Sequence, residues 1–157
     1  MVLNFTTRNP NKEISIYYDE VEARAFYEGS RFANVEVIKQ YKNSFRQHKK
    51  NSDSMSGVFS GQQLLMLNNE QISEFNNDKS VGVYDIHVKL NFRIRFRLGF
   101  VISHKYRPEV KCDIKVPLSS SKNIETFTFT SNKCKVAINR TFTFYLSLYF
   151  LGIVICI

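Results

Sequence analysis

Three arginines occupy every second position of the stretch LNFRIRFRLGF, which covers residues 90–100. Such a row of positive charges could bind the phosphates of nucleic acid or of lipid headgroups. On a strand Arg93, Arg95 and Arg97 share one face, whereas on a helix Arg95 would lie opposite the other two, so the alternation indicates a strand. Like charges about 7 Å apart in water repel by only about 0.6 kcal/mol. The row therefore needs no ligand, and we predict a solvated surface that serves at most as a contact surface.

Nucleic acid is a disfavoured partner for this row. Proteins that bind single strands combine a basic groove with exposed aromatic rings on which the bases stack. Here Phe92 and Phe96 alternate with the arginines and so point to the opposite face. A basic nucleic-acid-binding domain is therefore only the second alternative function.

No catalytic or metal-binding signature accompanies the arginines. The three histidines, His48, His87 and His104, lie far apart in the sequence, and there is no Gly-x-Ser-x-Gly, phosphate-loop, His-Glu-x-x-His or Cys-x-x-Cys motif. Residues distant in sequence can still meet in a fold, but histidines spread in this way are more often surface or strand residues. We predict that the protein is not an enzyme and uses no cofactor, metal or small-molecule substrate.

Cys112 and Cys134 lie on two late strand candidates that a loop separates. They could be neighbours and form a disulfide in an oxidising compartment, or they could remain two buried free thiols. Spacing alone leaves both alternatives open. A closed loop of this length would stabilise the fold by about 3 kcal/mol in the chain-entropy model. Cys156 has no evident partner.

Two triplets, Asn4-Phe5-Thr6 and Asn139-Arg140-Thr141, match the acceptor pattern for N-linked glycans. Single triplets of this kind arise often by chance. Two of them, together with a potential disulfide, favour a luminal or extracellular location.

The elements that must position these residues are strands. The chain has 157 residues, enough for one domain, and its 14 Phe and 8 Tyr against 6 Gly and 3 Pro favour β-structure. Apolar residues recur with a period of two, as expected for antiparallel sheets with one dry and one solvated face. About seven strands are predicted, enough for a sandwich, within residues 14–18, 21–27, 35–37, 58–67, 84–98, 110–116 and 126–130.

Turn and loop signals separate these runs. Glu28-Gly29-Ser30 predicts a hairpin turn, and the polar residues 39–56 predict a long exposed loop. Residues 69–77 predict one or two helical turns with Asn69 as N-cap. The run 84–98 would span roughly 50 Å at about 3.3 Å per residue, so we expect a bend or bulge to divide it.

The two ends of the chain bear on its location. The first residues, MVLNFTTRNPNK, do not show the pattern of a signal peptide or membrane span. Residues 141–157 carry no charge and reach the short limit of a spanning helix, yet they begin with strand-like alternation. Two alternatives are therefore open for residues 141–157: a strand that replaces a missing sheet partner, or a marginal membrane anchor. The formal charge of +8 favours anionic surroundings without choosing among them.

An ordered series of motifs over residues 3–134 resembles one plant family. The motifs are Asn9-Pro-Asn-Lys with Ile16-Tyr-Tyr-Asp19, Glu22-Ala-Arg-Ala-Phe-Tyr-Glu-Gly29, Arg31-Phe32, Val58-Phe-Ser-Gly-Gln62, Ser73-Glu-Phe-Asn76, Gly82-Val-Tyr84, Val88-Lys-Leu90, Arg93-Ile-Arg-Phe-Arg97 and Val110-Lys-Cys-Asp-Ile-Lys-Val-Pro-Leu118. The series is similar to that of the non-race-specific disease resistance/harpin-induced-like proteins, which carry the type-two late embryogenesis abundant domain.

This resemblance implies an all-β fold, a fibronectin-III- or immunoglobulin-like β-sandwich, over residues 1–135, with a divergent apolar tail at residues 136–157. It implies a non-enzymatic plant defence and stress-response protein that acts as a binding or signalling module at the extracellular face of the plasma membrane. The expected partner is a protein or a membrane or cell-wall surface. Asn4 and the pair Cys112 and Cys134 fall where the family commonly has a glycosylated asparagine and two cysteines.

Two departures from the family pattern leave an alternative open. The chain begins inside the domain, without the usual membrane helix and first strand, so we expect an open sheet edge, and it diverges after Cys134. The alternative function is a soluble, cytoplasmic protectant in dehydration stress, without a glycan or a disulfide.

Overall fold

The computed structural model describes residues 2–38, 44–59, 64–117, 134–137 and 154–156. These residues form ten strands and one helix. In chain order they are β1 (Val2–Arg8), β2 (Ile14–Tyr27), β3 (Ser30–Ile38), β4 (Phe45–Gln47), β5 (Ser52–Val58), α1 (Asn69–Val81), β6 (Val83–Leu98), β7 (Val101–Ile102), β8 (Glu109–Pro117), β9 (Lys135–Ala137) and β10 (Val154–Cys156).

The strands form two antiparallel sheets, which confirms the predicted all-β sandwich. The smaller sheet has the order β10-β1-β5, and the larger has the order β3-β2-β6-β8-β9, with β4 beside β2 and β7 beside β6. Leu3 and Phe5 of β1 belong to the same buried apolar cluster as Tyr18 and Phe92 of the larger sheet. The rings of Phe5 and Phe92 meet edge to face, with centroids 6.4 Å apart, so the core lies between the sheets.

Strand β6 is the centre of the larger sheet and follows the predicted alternation. It pairs with β2 on one side and with β8 on the other. Its inward residues are at most 8% exposed, namely Ile86, Val88, Leu90, Phe92, Ile94 and Phe96. The assignment of these side chains to the core is confirmed.

The bulge lies in β2 and not in β6, so that part of the prediction is wrong. Tyr18 pairs with Ile94 and Glu20 with Arg93, which leaves Asp19 as an extra residue without a partner in the register. A bulge inserts one residue into one strand and increases the local twist. The irregularity in β2 accommodates the long strand, and β6 runs unbroken for 16 residues.

Two polar segments were misassigned from the sequence. Residues 39–56 are not a single loop, because β4 and most of β5 lie there. The predicted strand over 58–67 is wrong for residues 59 and 64–67, because β5 ends at Val58, and residues 60–63 lie outside the described residues. Strand β5 reads SDSMSGV, which has few of the β-branched and aromatic residues that signal a strand. Its strand conformation comes from pairing with β1 along seven residues.

Helix α1 is longer than predicted and begins one residue earlier. Its N-cap is Asn68 and not Asn69. The Gln71 backbone N–H donates to Asn68 Oδ1, and the Asn68 backbone N–H donates to Gln71 Oε1. This reciprocal pair satisfies two amides that the first turn leaves free. The helix ends at Gly82, which adopts φ +78° and closes it in the left-handed conformation that glycine tolerates.

The predicted open sheet edge is partly occupied by the end of the chain. Strand β10 pairs with β1, with Thr6 opposite Cys156 and Arg8 opposite Val154, so β1 has a neighbour on both sides. This pairing agrees with the strand alternative for residues 154–156. Val136 and Ala137, at the start of the predicted tail, belong to β9 of the larger sheet, and the rest of the tail and the predicted strand at 126–130 lie outside the described residues. Within the described part of the chain, no helix is long and apolar enough to span a membrane.

Candidate functional site

The arginine row lies on the outer face of the larger sheet, on the side away from the core. The register places Ser15 opposite Arg97 and Tyr17 opposite Arg95 on neighbouring β2. Alternate residues of both strands point outward together. The outer face therefore brings β6 arginines and β2 polar side chains into direct contact.

Arg95 forms a two-pronged ion pair with the bulge residue Asp19. Arg95 Nε donates to Asp19 Oδ2 at 2.7 Å, and Arg95 Nη2 donates to Oδ1 at 2.6 Å. Burial would raise the pKa of Asp19, but hydrogen bonds from Arg95 and Ser44 outweigh it and hold that pKa below its usual value. The same bond raises the pKa of Arg95. The paired geometry is the strong form of this contact.

Arg93 lies against the second carboxylate of the bulge. Arg93 Nη1 is 2.9 Å from Glu20 Oε2, with the two side chains 20% and 27% exposed. The contact is electrostatic and not a directed hydrogen bond, because neither Glu20 Oε2 nor Arg93 Nε has a hydrogen-bond partner among the described residues. Arg93 also borders a groove of about 280 Å³, which Glu22, Arg24 and Arg107 help to line. Because both charge signs line this groove, it is not a simple anion site.

Arg97 and Arg46 gather around Tyr17. Arg97 Nη1 donates to the Tyr17 hydroxyl at 3.0 Å, and the guanidinium carbons of Arg46 and Arg95 lie 5.6 Å and 5.7 Å from the ring centroid. Cations at this distance are attracted by the ring face. The hydrogen bond from Arg97 is the main reason why the pKa of Tyr17 is lowered.

The prediction that the arginine row is a solvated surface is therefore wrong for Arg93 and Arg95, which form ion pairs. Arg93 and Arg95 are only 20% and 29% exposed and face carboxylates, because the bulge presents Asp19 and Glu20 side by side to β6. Aromatic rings also stand on this face: Tyr17 among three arginines, and Phe26 with Lys89 Nζ 4.6 Å from its centroid. The absence of nucleic-acid binding stays a prediction, although its premise that aromatic rings point away from the basic face is wrong for Tyr17 and Phe26. The face can offer paired charges and cation-covered rings to a partner.

Cys112 and Cys134 are joined in the structure by a disulfide. Cys112 lies on β8 with 2% of its surface exposed, and Cys134 immediately precedes β9. Strands β8 and β9 pair through Lys111 and Lys135. The bond therefore ties the chain leading into the last strand of the larger sheet to a buried position.

The remaining predicted residues do not converge on one site. Asn4 is exposed on β1, where a glycan would meet solvent, and Asn139 lies outside the described residues. His87 Nδ1 is 2.6 Å from Asp113 Oδ1 on the surface, while His48 and His104 are exposed elsewhere. No group of three potential metal ligands occurs among the described residues.

Asp19, Glu20, Tyr17 and Arg46 are the residues of this face that sequence reasoning missed. One signal is present in the sequence: the alternating apolar residues change from even positions at Ile14, Ile16 and Tyr18 to odd positions at Val21, Ala23 and Ala25. A change of parity inside one strand indicates an inserted residue. It locates the bulge, although it does not identify the partner strand.

Comparison with known proteins gives consistent matches. The sequence profile described as late embryogenesis abundant protein matches residues 4–112. NDR1/HIN1-like protein 3 of Arabidopsis thaliana is 40% identical over 134 residues, 85% of this chain and 56% of its own length. NDR1/HIN1-like protein 10 of the same plant is 38% identical over 80% of this chain and 54% of its own length. NDR1/HIN1-like protein 2 is 36% identical over 84% and 53%. The chain thus spans about half the length of these relatives. No solved structure matches it.

Proposed function

Because this chain belongs to the late embryogenesis abundant protein family, we propose that it is a non-enzymatic binding module of plant defence and stress responses that acts at a membrane surface. The observation that carries the proposal is its 36–40% identity to three NDR1/HIN1-like proteins over at least 80% of the chain. This similarity supports a plant stress- or defence-related protein. Membrane association and binding are the further steps that we propose.

The outer face of the larger sheet suits such a role. Its charges are held in place: Asp19 is 9% exposed and holds Arg95 by two hydrogen bonds. Side chains that are already ordered lose little conformational freedom when a partner binds. Arg46 is exposed and lies over Tyr17, which gives a cationic and aromatic point of the type enriched in protein interfaces.

The proposal is tested by expressing the tagged chain in plant cells and separating membranes from soluble protein. We expect the chain in the membrane fraction, with a mass that falls on glycosidase treatment. The Asn4→Gln variant is the matched control, since it removes the exposed acceptor and should abolish the part of the mass shift that Asn4 carries. Recovery of an unmodified chain in the soluble fraction would reject the proposal.

That rejecting result would favour a second candidate function, a soluble protectant in dehydration stress. The observation in its favour is the match to the family described as late embryogenesis abundant protein. This second function is tested by drying a labile enzyme with and without the purified chain and measuring the enzyme activity that remains. Protection no better than that given by an equal mass of an unrelated globular protein would exclude it.

A further inference from the structure

The β6–β7 hairpin ends in an apolar group that the fold does not bury. Leu98, Phe100, Val101 and Ile102 are 55%, 97%, 72% and 48% exposed; we call these four residues the apolar tip. Single exposed apolar side chains are common on protein surfaces, but adjacent ones mark contact sites. Four within five residues of the sequence form such a patch.

The hairpin holds the apolar tip in a fixed shape. Leu98 pairs with Val101, so Gly99 and Phe100 form a two-residue turn. Gly99 has φ +58°, and Phe100 is not among the residues with positive φ. This is the pattern of a type II′ turn, which needs glycine at its first central position. Phe100 therefore sits in the turn of the hairpin, exposed and without backbone strain.

Cationic residues lie at the same end of the sandwich as the apolar tip. Leu98 pairs with Ile14, so the turn that carries Lys12 lies at the same end of the sandwich. The backbone N–H of Lys50 donates to Asn11 in that turn, which brings Lys49 and Lys50 alongside. Arg97 Nε donates to the Gly99 carbonyl at 2.8 Å. We call Lys12, Lys49, Lys50 and Arg97 the basic collar.

The basic collar carries net positive charge. Its four cations exceed the acidic residues near it, which are Glu13, 3.6 Å from Lys49 Nζ in a largely exposed pair, and Asp53, which pairs with Thr7 at the end of β1. Exposed pairs of this kind neutralise each other only weakly. An apolar point beside a cluster of lysine and arginine side chains suits insertion into the interface of an anionic membrane.

We propose that the apolar tip inserts into the headgroup region of an anionic phospholipid bilayer while the basic collar binds the surrounding phosphates. This inference rests on the proposed function, because it names the surface and the lipid class of the membrane association. The tip lies at the opposite end from Val2, since β1 runs from Val2 towards the turn before β2. Contact through the tip is therefore separate from the end of the domain at which Val2 lies.

Lipid fits the tip better than the other anionic surfaces do. A polyanion such as a nucleic acid or a wall polymer would engage the collar but would leave Phe100 in water. A second copy would bring two basic collars together, and like charges at short range repel. A bilayer alone offers an apolar layer beneath a layer of phosphates.

The chain contains no tryptophan, so a single introduced one reports its own surroundings. The test uses the full chain with Phe100→Trp and, as matched control, Leu64→Trp at a site that is 90% exposed in a different region. Each is titrated with phosphatidylcholine vesicles with and without phosphatidylserine, containing brominated lipid as a quencher. We expect a blue shift and quenching for Phe100→Trp on phosphatidylserine vesicles, and neither for Leu64→Trp.

Binding strength gives the second measurement. Phe100→Ser should weaken co-sedimentation with phosphatidylserine vesicles about tenfold or more, from the loss of one buried aromatic side chain. Lys12→Gln should weaken it about fivefold, with a smaller effect in high salt. Leu64→Ser should change neither, and circular dichroism should show that every variant keeps its fold.

Three results would overturn the proposal. Absence of quenching in both tryptophan variants would exclude insertion, although fractionation in plant cells would still test the proposed function independently. Quenching of Leu64→Trp alone would place the membrane contact elsewhere. A blue shift of Phe100→Trp that depends on protein concentration, without vesicles, would show that the tip binds a second copy.

Discussion

Gln47 connects the two sheets through buried hydrogen bonds, and replacing it tests the core directly. It lies on β4, beside β2 of the larger sheet. The Tyr18 hydroxyl donates to Gln47 Oε1 at 3.0 Å, and Gln47 Nε2 donates to the Thr7 carbonyl of the smaller sheet at 2.7 Å. Gln47 and Thr7 are 0% exposed and Tyr18 is 2% exposed, so water cannot replace these bonds easily.

Gln47→Leu keeps most of the volume and removes these two bonds, together with two longer ones from Gln47 Nε2 to Thr7 Oγ1 and to the Asn51 carbonyl. The Tyr18 hydroxyl and the Thr7 carbonyl then lose a buried partner, at about 1–3 kcal/mol each. We expect the free energy of unfolding to fall by about 2–5 kcal/mol, a large share of the 5–15 kcal/mol typical of a domain. Adding Tyr18→Phe should recover part of the loss, because it removes the stranded hydroxyl.

Urea unfolding of the two single variants and the double variant measures this coupling. We expect a coupling energy of about 1–2 kcal/mol between the two positions. Ser54→Ala is the matched control, since it removes the exposed side-chain bond between Ser54 and Thr6, and exposed changes of this kind cost within about 0.5 kcal/mol. A cost for Gln47→Leu no larger than that of Ser54→Ala, or a cycle without coupling, would refute a stabilising role for these buried hydrogen bonds.

Three further predictions concern the bulge, the disulfide and the helix end. The pKa of Asp19 is lowered in the fold, so its ion pair with Arg95 stabilises the protein at pH values above the unfolded pKa of about 4. This stabilisation is lost as the pH falls through the folded pKa. The difference in urea midpoint between wild type and Asp19→Asn should therefore shrink on acidification, and a constant difference would contradict a charge effect. Replacing Cys112 and Cys134 by serine opens a loop with a sequence separation of 22 and should lower the unfolding free energy by about 3 kcal/mol, with no further loss on adding reductant to the variant. Gly82→Ala places a side chain at φ +78° and should cost about 1 kcal/mol in thermal or urea unfolding; an unchanged midpoint would mean that the helix end relaxes freely.

The parts of the fold that the sequence predicts are those that depend on one strand at a time. The alternation at β6 identifies the buried residues because the side-chain period of a strand is two. The hairpin at Glu28-Gly29 is also predictable, because a glycine interrupts the alternating run and favours a tight turn. In the structure Glu28 and Gly29 adopt positive φ, 45° and 76°, which is the pattern of a type I′ turn.

The parts that depend on two strands could not be predicted. Strand β5 is polar and becomes a strand by pairing with β1, a partner about fifty residues away in the sequence. The charges on the arginine row were misjudged for the same reason. Arg93 and Arg95 look solvated in their own strand, and only the register with β2 places carboxylates against them.

The bulge at Asp19 makes β2 sensitive to length at one point. Upstream of it the core residues Ile16 and Tyr18 have even numbers, and downstream the core residues Val21, Ala23 and Ala25 have odd numbers. Deleting one residue here would force one half of the strand to turn its apolar side chains outward, whereas a deletion in the turn before β2 would shorten a surface connection. Length variation among related chains should therefore be tolerated at that turn and avoided at Asp19, so that in an alignment this position behaves as part of the core although its side chain faces outward.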